Sequence, residues 1–239
     1  MGVQEISGGY QISIRQVIKM KRKKNKRGLL LICILIFAGI AYLLAGHVLF
    51  HHEADQSRGW ELILVNEKNY VPRDYEIELI QLSNGEQVDS RIYPDLQNMF
   101  DDARASGLQL FVREGYRSRE EQADILDEKI ESYLLEGYSK AEAKEMALEW
   151  VALPGTSEHE LGIAVDINAD TTSSSSEKVY LWLEKNSYKY GFIRRYPPNK
   201  TQITGVNHEP WHYRYVGKEA AKTIYDNGWC LEEYIESTE

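Results

Sequence analysis

Apolar positions along this chain follow three patterns. The first is an unbroken run: residues 28–50 hold no Asp, Glu, Lys or Arg across 23 positions, and ~20 apolar residues are enough to cross a bilayer. The second is helical spacing. Leu96, Met99, Phe100 and Ala103 recur on one stripe of residues 95–106, with Gly107 placed to end that helix. Residues 118–150, rich in Glu, Ala, Lys and Leu, read as two helices broken near Gly137. The second of these opens on a capping box, Ser139 with Glu142, and Pro154 and Gly155 close the block. Residues 179–190 and 218–227 are further helices, stopped by Gly191 and Gly228. The third pattern is alternation, which predicts strands at 108–112, 163–167 and 211–216 and a strand or extended arm at 60–66. A polar loop fills 171–176. Helices and strands mix without a regular βαβ rhythm, so the fold class is α+β: a small antiparallel sheet flanked by helices, preceded by one N-terminal transmembrane helix.

Charge sharpens the division of the chain. Residues 1–52 hold eight Lys and Arg against Glu5 alone, a net of +7, and the whole chain is −9, so the remainder carries −16. Cations before the span and acids after it place the N-terminus in the cytoplasm. Residues 1–27 are then a basic cytoplasmic tail, 28–50 a signal-anchor helix, 51–59 a linker and 60–235 an extracellular domain at the cell membrane. The competing reading, a cleaved signal peptide, fits less well, because the apolar run is long and no A-x-A site follows it. An acidic exported domain excludes nucleic acid as a partner, since phosphate binding needs a basic face. Cys33 lies in the span and Cys230 near the C-terminus, which rules out an intradomain disulfide and a cysteine metal site.

Two constellations carry chemistry. In SEHELGIAVDIN, from Ser157 to Asn168, strand parity turns Ile163, Val165 and Ile167 to one side and Ala164, Asp166 and Asn168 to the other. His159 stands just before the strand, beyond Gly162, and can fold back toward Asp166. In EPWHYRYVG, from Glu209 to Gly217, His212 and Arg214 share a face with Trp211, Tyr213 and Tyr215 behind them. Pro210 limits pairing at the strand entrance and lets Glu209 sit beside His212. Two His and one Asp make a three-ligand zinc site with a fourth position left for water, and Glu209 is the group to take that water's proton. Either half alone has an ordinary structural reading: a turn-capping carboxylate, a core histidine.

Together, SEHELGIAVDIN and EPWHYRYVG resemble the signatures of the VanY-type D-alanyl-D-alanine carboxypeptidases of peptidase family M15. LVNEKNYVPRDYEIELIQL, DARASGLQL, REGYRS and YGFIRRYPPNKTQITG are similar too, so the resemblance spans about residues 60–230. It implies one Zn2+ held by His159, Asp166 and His212, with Glu209 as catalytic base. It implies that Arg117 meets the substrate carboxylate or developing oxyanion, that Gln122 and Ser157 hold the terminal D-alanine, and that Tyr196 lines the pocket. The expected substrate is the stem peptide of peptidoglycan in a bacterial, Gram-positive envelope, with D,D-carboxypeptidase action preferred. The alternatives are L,D-carboxypeptidase action on tetrapeptide stems and, in a different class, a non-catalytic zinc-containing wall-binding module. The acidic stretch 120–150, between the arginine and the first ligand, departs from a compact family pattern.

Overall fold

The structure, a computed structural model, describes residues 52–238. The basic tail and the membrane span expected at 1–50 lie outside those residues. Among the described residues no helix is long and apolar enough to cross a membrane. Residues His51–Glu239 form one compact unit.

In chain order, β1 (His52–Glu53) pairs in parallel with β2 (Asn69–Tyr70), and β3 (Leu79–Gln81) forms an antiparallel hairpin with β4 (Gln87–Asp89). Helix α1 (Tyr93–Ala105) leads into β5 (Leu110–Glu114), then α2 (Arg119–Leu135) and α3 (Lys140–Leu148). Strand β6 (Ala164–Ala169), α4 (Ser176–Asn186), β7 (Phe192–Tyr196), the single turn α5 (Thr201–Thr204), β8 (Glu209–Tyr215), α6 (Lys218–Asn227) and α7 (Leu231–Ser237) follow. The main sheet is fully antiparallel, ordered β5-β6-β8-β7. The α+β class and central antiparallel sheet expected from sequence are therefore present.

Local signals placed most helices well. Ser139 and Glu142 close the expected capping box at α3, and a second box, Ser118 with Glu121, opens α2. Gly228, left-handed at φ 64°, ends α6 where only a residue without Cβ adopts that conformation freely. Three expectations change. Residues 60–66 form a 3-10 turn (Trp60–Leu62) and then an extended arm with Ile63 and Val65 buried, so the arm reading holds and the strand does not. The helix expected at 179–190 begins at Ser176 and tightens to a 3-10 turn from Ser187 to Tyr190. Strand β8 starts at Glu209, two residues earlier than the alternation gave, and includes Pro210. The β3–β4 hairpin, β7, α5 and α7 had no sequence expectation.

The sheet divides the domain chemically. Ile163, Val165 and Ile167 are fully buried among Phe192, Tyr213 and the α1 residues Leu96, Met99 and Phe100. The other face of β6 presents Asp166. Between β7 and β8 the register runs Phe192 with Tyr215, Ile193 with Arg214 and Arg194 with Tyr213, then jumps to Tyr196 with Glu209. Strand β8 thus spends two extra residues in a bulge, which re-aims the side chains beyond it. Pro210, which has no N–H to donate, sits in that bulge and outside the β6 ladder, which ends at Asp166 with His212.

Candidate metal centre and substrate cleft

The elements that bring the site together are β6, β8 and the 3-10 turn Glu158–Leu161. Ser157 caps that turn by accepting from the His159 N–H, and Gly162 ends it left-handed at φ 68°. The chain then reverses within four residues, so His159 folds back over Asp166, as the motif spacing suggested. His212 lies directly across the ladder from Asp166. Glu209 is three residues from His212 and by simple parity would face away. The bulge brings its carboxylate to 3.6 Å from His212 Nδ1 instead.

Which nitrogens face inward is set by the hydrogen bonds around the rings. His159 Nδ1 lies 2.7 Å from the Gly115 carbonyl and donates to it, which turns Nε2 toward Asp166 Oδ1 at 3.5 Å. His212 presents Nδ1 to the same oxygen at 3.2 Å. One donor atom from each of the three residues lies within 4.8 Å of the others. Metal–ligand bonds of ~2.0–2.2 Å in a tetrahedron put neighbouring donors ~3.4 Å apart, and the two edges through Asp166 fit that separation. Asp166 Oδ1 is buried with no hydrogen-bond partner. A buried acceptor left without a partner is rare in a folded protein, and a cation bound among these atoms satisfies it. The donor set and its spacing fit zinc.

Electrostatics agree. Burial alone would raise the Asp166 carboxyl, but the His159 and His212 imidazoles beside it hold it well below its ordinary value. Glu209 is different: burial, which leaves it 7% exposed, pushes its carboxyl up to about 7. Two acids in one site therefore hold protons differently, one suited to ligation and one to proton transfer.

Arg117 flanks this centre. Its guanidinium donates to Glu114 at 3.0 and 2.9 Å and to Gln122 Oε1 at 2.8 Å, while its backbone N–H donates to the His159 carbonyl. Its side chain is only 11% exposed, which separates it from an ordinary surface ion pair. Both ends of the Gln122 amide are engaged, since Nε2 donates to the Ala152 carbonyl at 2.7 Å. Gln122 thus braces Arg117. Arg117, Ser157 and Tyr196 border one cleft of about 360 Å³ with the three candidate ligands. The Tyr196 ring lies 4.9 Å from the His212 ring. Trp211, expected to pack behind β8, borders the cleft too, because it lies in the bulge. The far wall comes from α2 and the chain leaving α3: Ile125, Lys129 and Trp150. The acidic stretch 120–150 therefore builds part of the cleft.

Residues 85–218 match the family model described as VanY, D-alanyl-D-alanine carboxypeptidase. The chain belongs to the VanY family. A D-alanyl-D-alanine carboxypeptidase of Enterococcus faecalis (strain ATCC 700802 / V583) is 58% identical over 183 residues, 77% of this chain and 68% of that protein. Among solved structures, VanYB in complex with D-alanine-D-alanine shares 59% identity at a TM-score of 0.74, covering 75% of this chain and 99% of that one. A variant of the vancomycin-resistance D,D-pentapeptidase VanY, crystallised with Zn(II), shares 60% identity at a TM-score of 0.72, covering 74% and 99%. The VanY-family match spans β5, β6, β7 and β8, and with them the candidate ligands His159, Asp166 and His212, Arg117 and Glu209.

One side chain in this centre went unnoticed in the sequence. Glu158, between Ser157 and His159, reads as a solvated acid but is 2% exposed. Its Oε2 lies 3.5 Å from His212 Nε2, and its Oε1 accepts from Arg195 and Arg214 at 2.8 and 2.9 Å. No local pattern marks it: only the fold shows that Arg195 and Arg214 are buried and need buried acceptors.

Proposed function

We propose that this chain is a zinc-dependent D,D-carboxypeptidase that removes the terminal D-alanine from peptidoglycan stem peptides. The observation that carries the reading is the buried Glu209 carboxyl, 3.6 Å from a histidine of a two-His, one-Asp centre, in a cleft that also holds a braced arginine. A binding module without catalysis has no use for a carboxyl raised to about 7 at that place.

His159 Nε2, Asp166 Oδ1 and His212 Nδ1 would hold the metal. When bound, zinc supplies Lewis acidity, polarising the scissile carbonyl and lowering the pKa of water to ~7. Glu209 accepts the proton of the attacking water as the new C–O bond forms. It then returns that proton to the nitrogen of the departing D-alanine as the C–N bond breaks. A carboxyl near neutrality can hold the proton between the two transfers. Arg117, fixed by Glu114 and Gln122, presents its planar fork to the free carboxylate of the terminal residue. Ser157 and Tyr196 line the pocket around that residue.

The solved relative bound to D-alanine-D-alanine and the identity near 60% support D,D over L,D specificity. Anchoring by residues 28–50, with residues 1–27 cytoplasmic and the catalytic domain outside a Gram-positive cell, rests on the charge-free run and the basic cluster before it. The anchor keeps an acidic domain beside an anionic wall that would otherwise repel it.

The test is mass spectrometry of synthetic stem pentapeptide and tetrapeptide incubated with the zinc-loaded, detergent-solubilised chain. Loss of one D-alanine from the pentapeptide, absent in Glu209→Ala, is the expected result. Cleavage of the tetrapeptide alone would replace D,D with L,D specificity, and no cleavage of either despite bound zinc would end the carboxypeptidase reading.

A further inference from the structure

The centre of this domain is wired to a buried ion network that the hydrolytic steps do not use. Glu158, Arg195, Arg214 and Glu232 are all at least nine-tenths buried. Glu158 Oε1 takes one bond from each arginine; Arg195 also grips both oxygens of Glu232, at 2.9 and 2.6 Å. Arg214 spends its other donors on the carbonyls of Tyr215, Glu61 and Ile63. Glu158 Oε2 accepts none of these bonds. It is buried without a partner, and so is His212 Nε2, 3.5 Å away. Two buried orphans of opposite character facing each other make one unfinished pair, since buried polar atoms are almost always bonded.

We infer that Glu158 is the positioning residue of His212: its free oxygen accepts the Nε2 proton and thereby keeps the Nδ1 lone pair on the metal side. A metal-ligating histidine needs its second nitrogen held in this way to fix both tautomer and ring orientation. The arginines make the arrangement directional. With Oε1 pinned by two guanidinium groups, the carboxylate cannot rotate away from the ring. The inference rests on the zinc reading above.

Glu158→Gln is close to isosteric and informative. Its amide oxygen must face the two guanidinium groups, because an NH2 there would oppose two donors. Its NH2 then lies against Nε2 and asks that nitrogen to accept, which favours the proton on Nδ1, the atom the metal needs. Glu232→Gln is the control. It removes the same charge from the same network, on the far side of Arg195, without touching His212.

Zinc affinity of the full chain, measured by competition with a chromogenic chelator, decides the matter without any activity assay. Glu158→Gln is expected to bind zinc ~10- to 100-fold more weakly, and to shift the visible spectrum of the cobalt-substituted protein, while Glu232→Gln binds as the parent does. Equal affinities in all three proteins, or equal losses in both variants, would overturn the inference and leave charge balance as the network's role. A parent chain that binds no zinc would overturn the metal reading itself and this inference with it. Should Glu158→Gln fail to fold, long-range 1H–15N correlation on the zinc-loaded parent, labelled at histidine, reads the same point directly. A protonated Nε2 on His212 is expected; a proton on Nδ1 would overturn the inference.

Discussion

Arg117 shows how much of its role comes from its neighbours. A free guanidinium on a surface loop would be mobile and hydrated, and it would gain little from meeting a carboxylate. Here three of its donors are already committed to Glu114 and Gln122, and its backbone is pinned to the turn that carries His159. In the proposed reaction the side chain would meet substrate with its entropy cost already met. Hydrogen bonds to a charged group contribute ~1.5–3 kcal/mol, so Arg117→Ala should lower kcat/KM on pentapeptide roughly 10- to 150-fold. Steady-state kinetics on free and amidated C-termini check this: amidation should penalise the parent strongly and Arg117→Ala hardly at all. Arg117→Lys keeps the charge but loses the fork, and should recover only part of the loss. The gathering of His159, Asp166 and His212 was legible in the sequence because each motif is contiguous and strand parity is strict, whereas Glu209 comes beside them through a bulge. Glu158 was not legible, since its partners Arg195 and Arg214 come from distant parts of the chain and nothing local marks it as buried.

At the scale of elements, what the sequence revealed and what it hid divide by the range of the forces. The α3 box and the Gly228 stop are local hydrogen-bonding events, and both stand where they were read. Strand β7, FIRRY, gave no sign of itself because one of its arginines is buried by carboxylates from the His159 turn and from α7. The β3–β4 hairpin is three residues a side and too short for alternation to register. Yet that hairpin holds the His159 support in place. Gly115, whose carbonyl receives the His159 Nδ1 proton, runs against β4 so closely that an added Cβ would lie 2.1 Å from the Gln87 carbonyl oxygen. Backbone cannot swing aside as a side chain can. Gly115→Ala should therefore cost ~1–3 kcal/mol of stability and move the carbonyl that orients His159. A combined thermal melt and zinc titration tests both halves; a stable variant with unchanged zinc affinity would show that β4 does not brace the ligand.

For the whole molecule, metal binding and folding draw on the same contacts. His159 comes from a turn, Asp166 and His212 from two paired strands, and Glu209 from beyond a bulge, so no fragment of the chain presents the three donors together. Through Glu158 the centre also reaches Arg214, which holds the arm at Glu61 and Ile63, and Arg195, which holds Glu232 on α7. Those contacts reach the second apolar cluster, where Ile193, Val216, Ile224 and Leu231 pack. A ligand that binds the folded state alone stabilises it by mass action, by ~2.7 kcal/mol at a hundredfold excess over Kd. For a domain of this size each kcal/mol moves Tm by ~2–4 °C, so zinc at that excess should raise Tm by roughly 5–10 °C over chelator-treated protein. The converse matters more. Removing the metal leaves Asp166 Oδ1 buried without a partner, beside Glu209 and Glu158, three acids around one cavity. Stripping zinc should therefore loosen the sheet at its β6–β8 seam before the α1 side of the core. Amide exchange by mass spectrometry, with and without chelator, reads that order: protection should fall first in 164–169 and 209–215. Uniform loss across 93–105 as well would mean that the metal holds the fold as a whole.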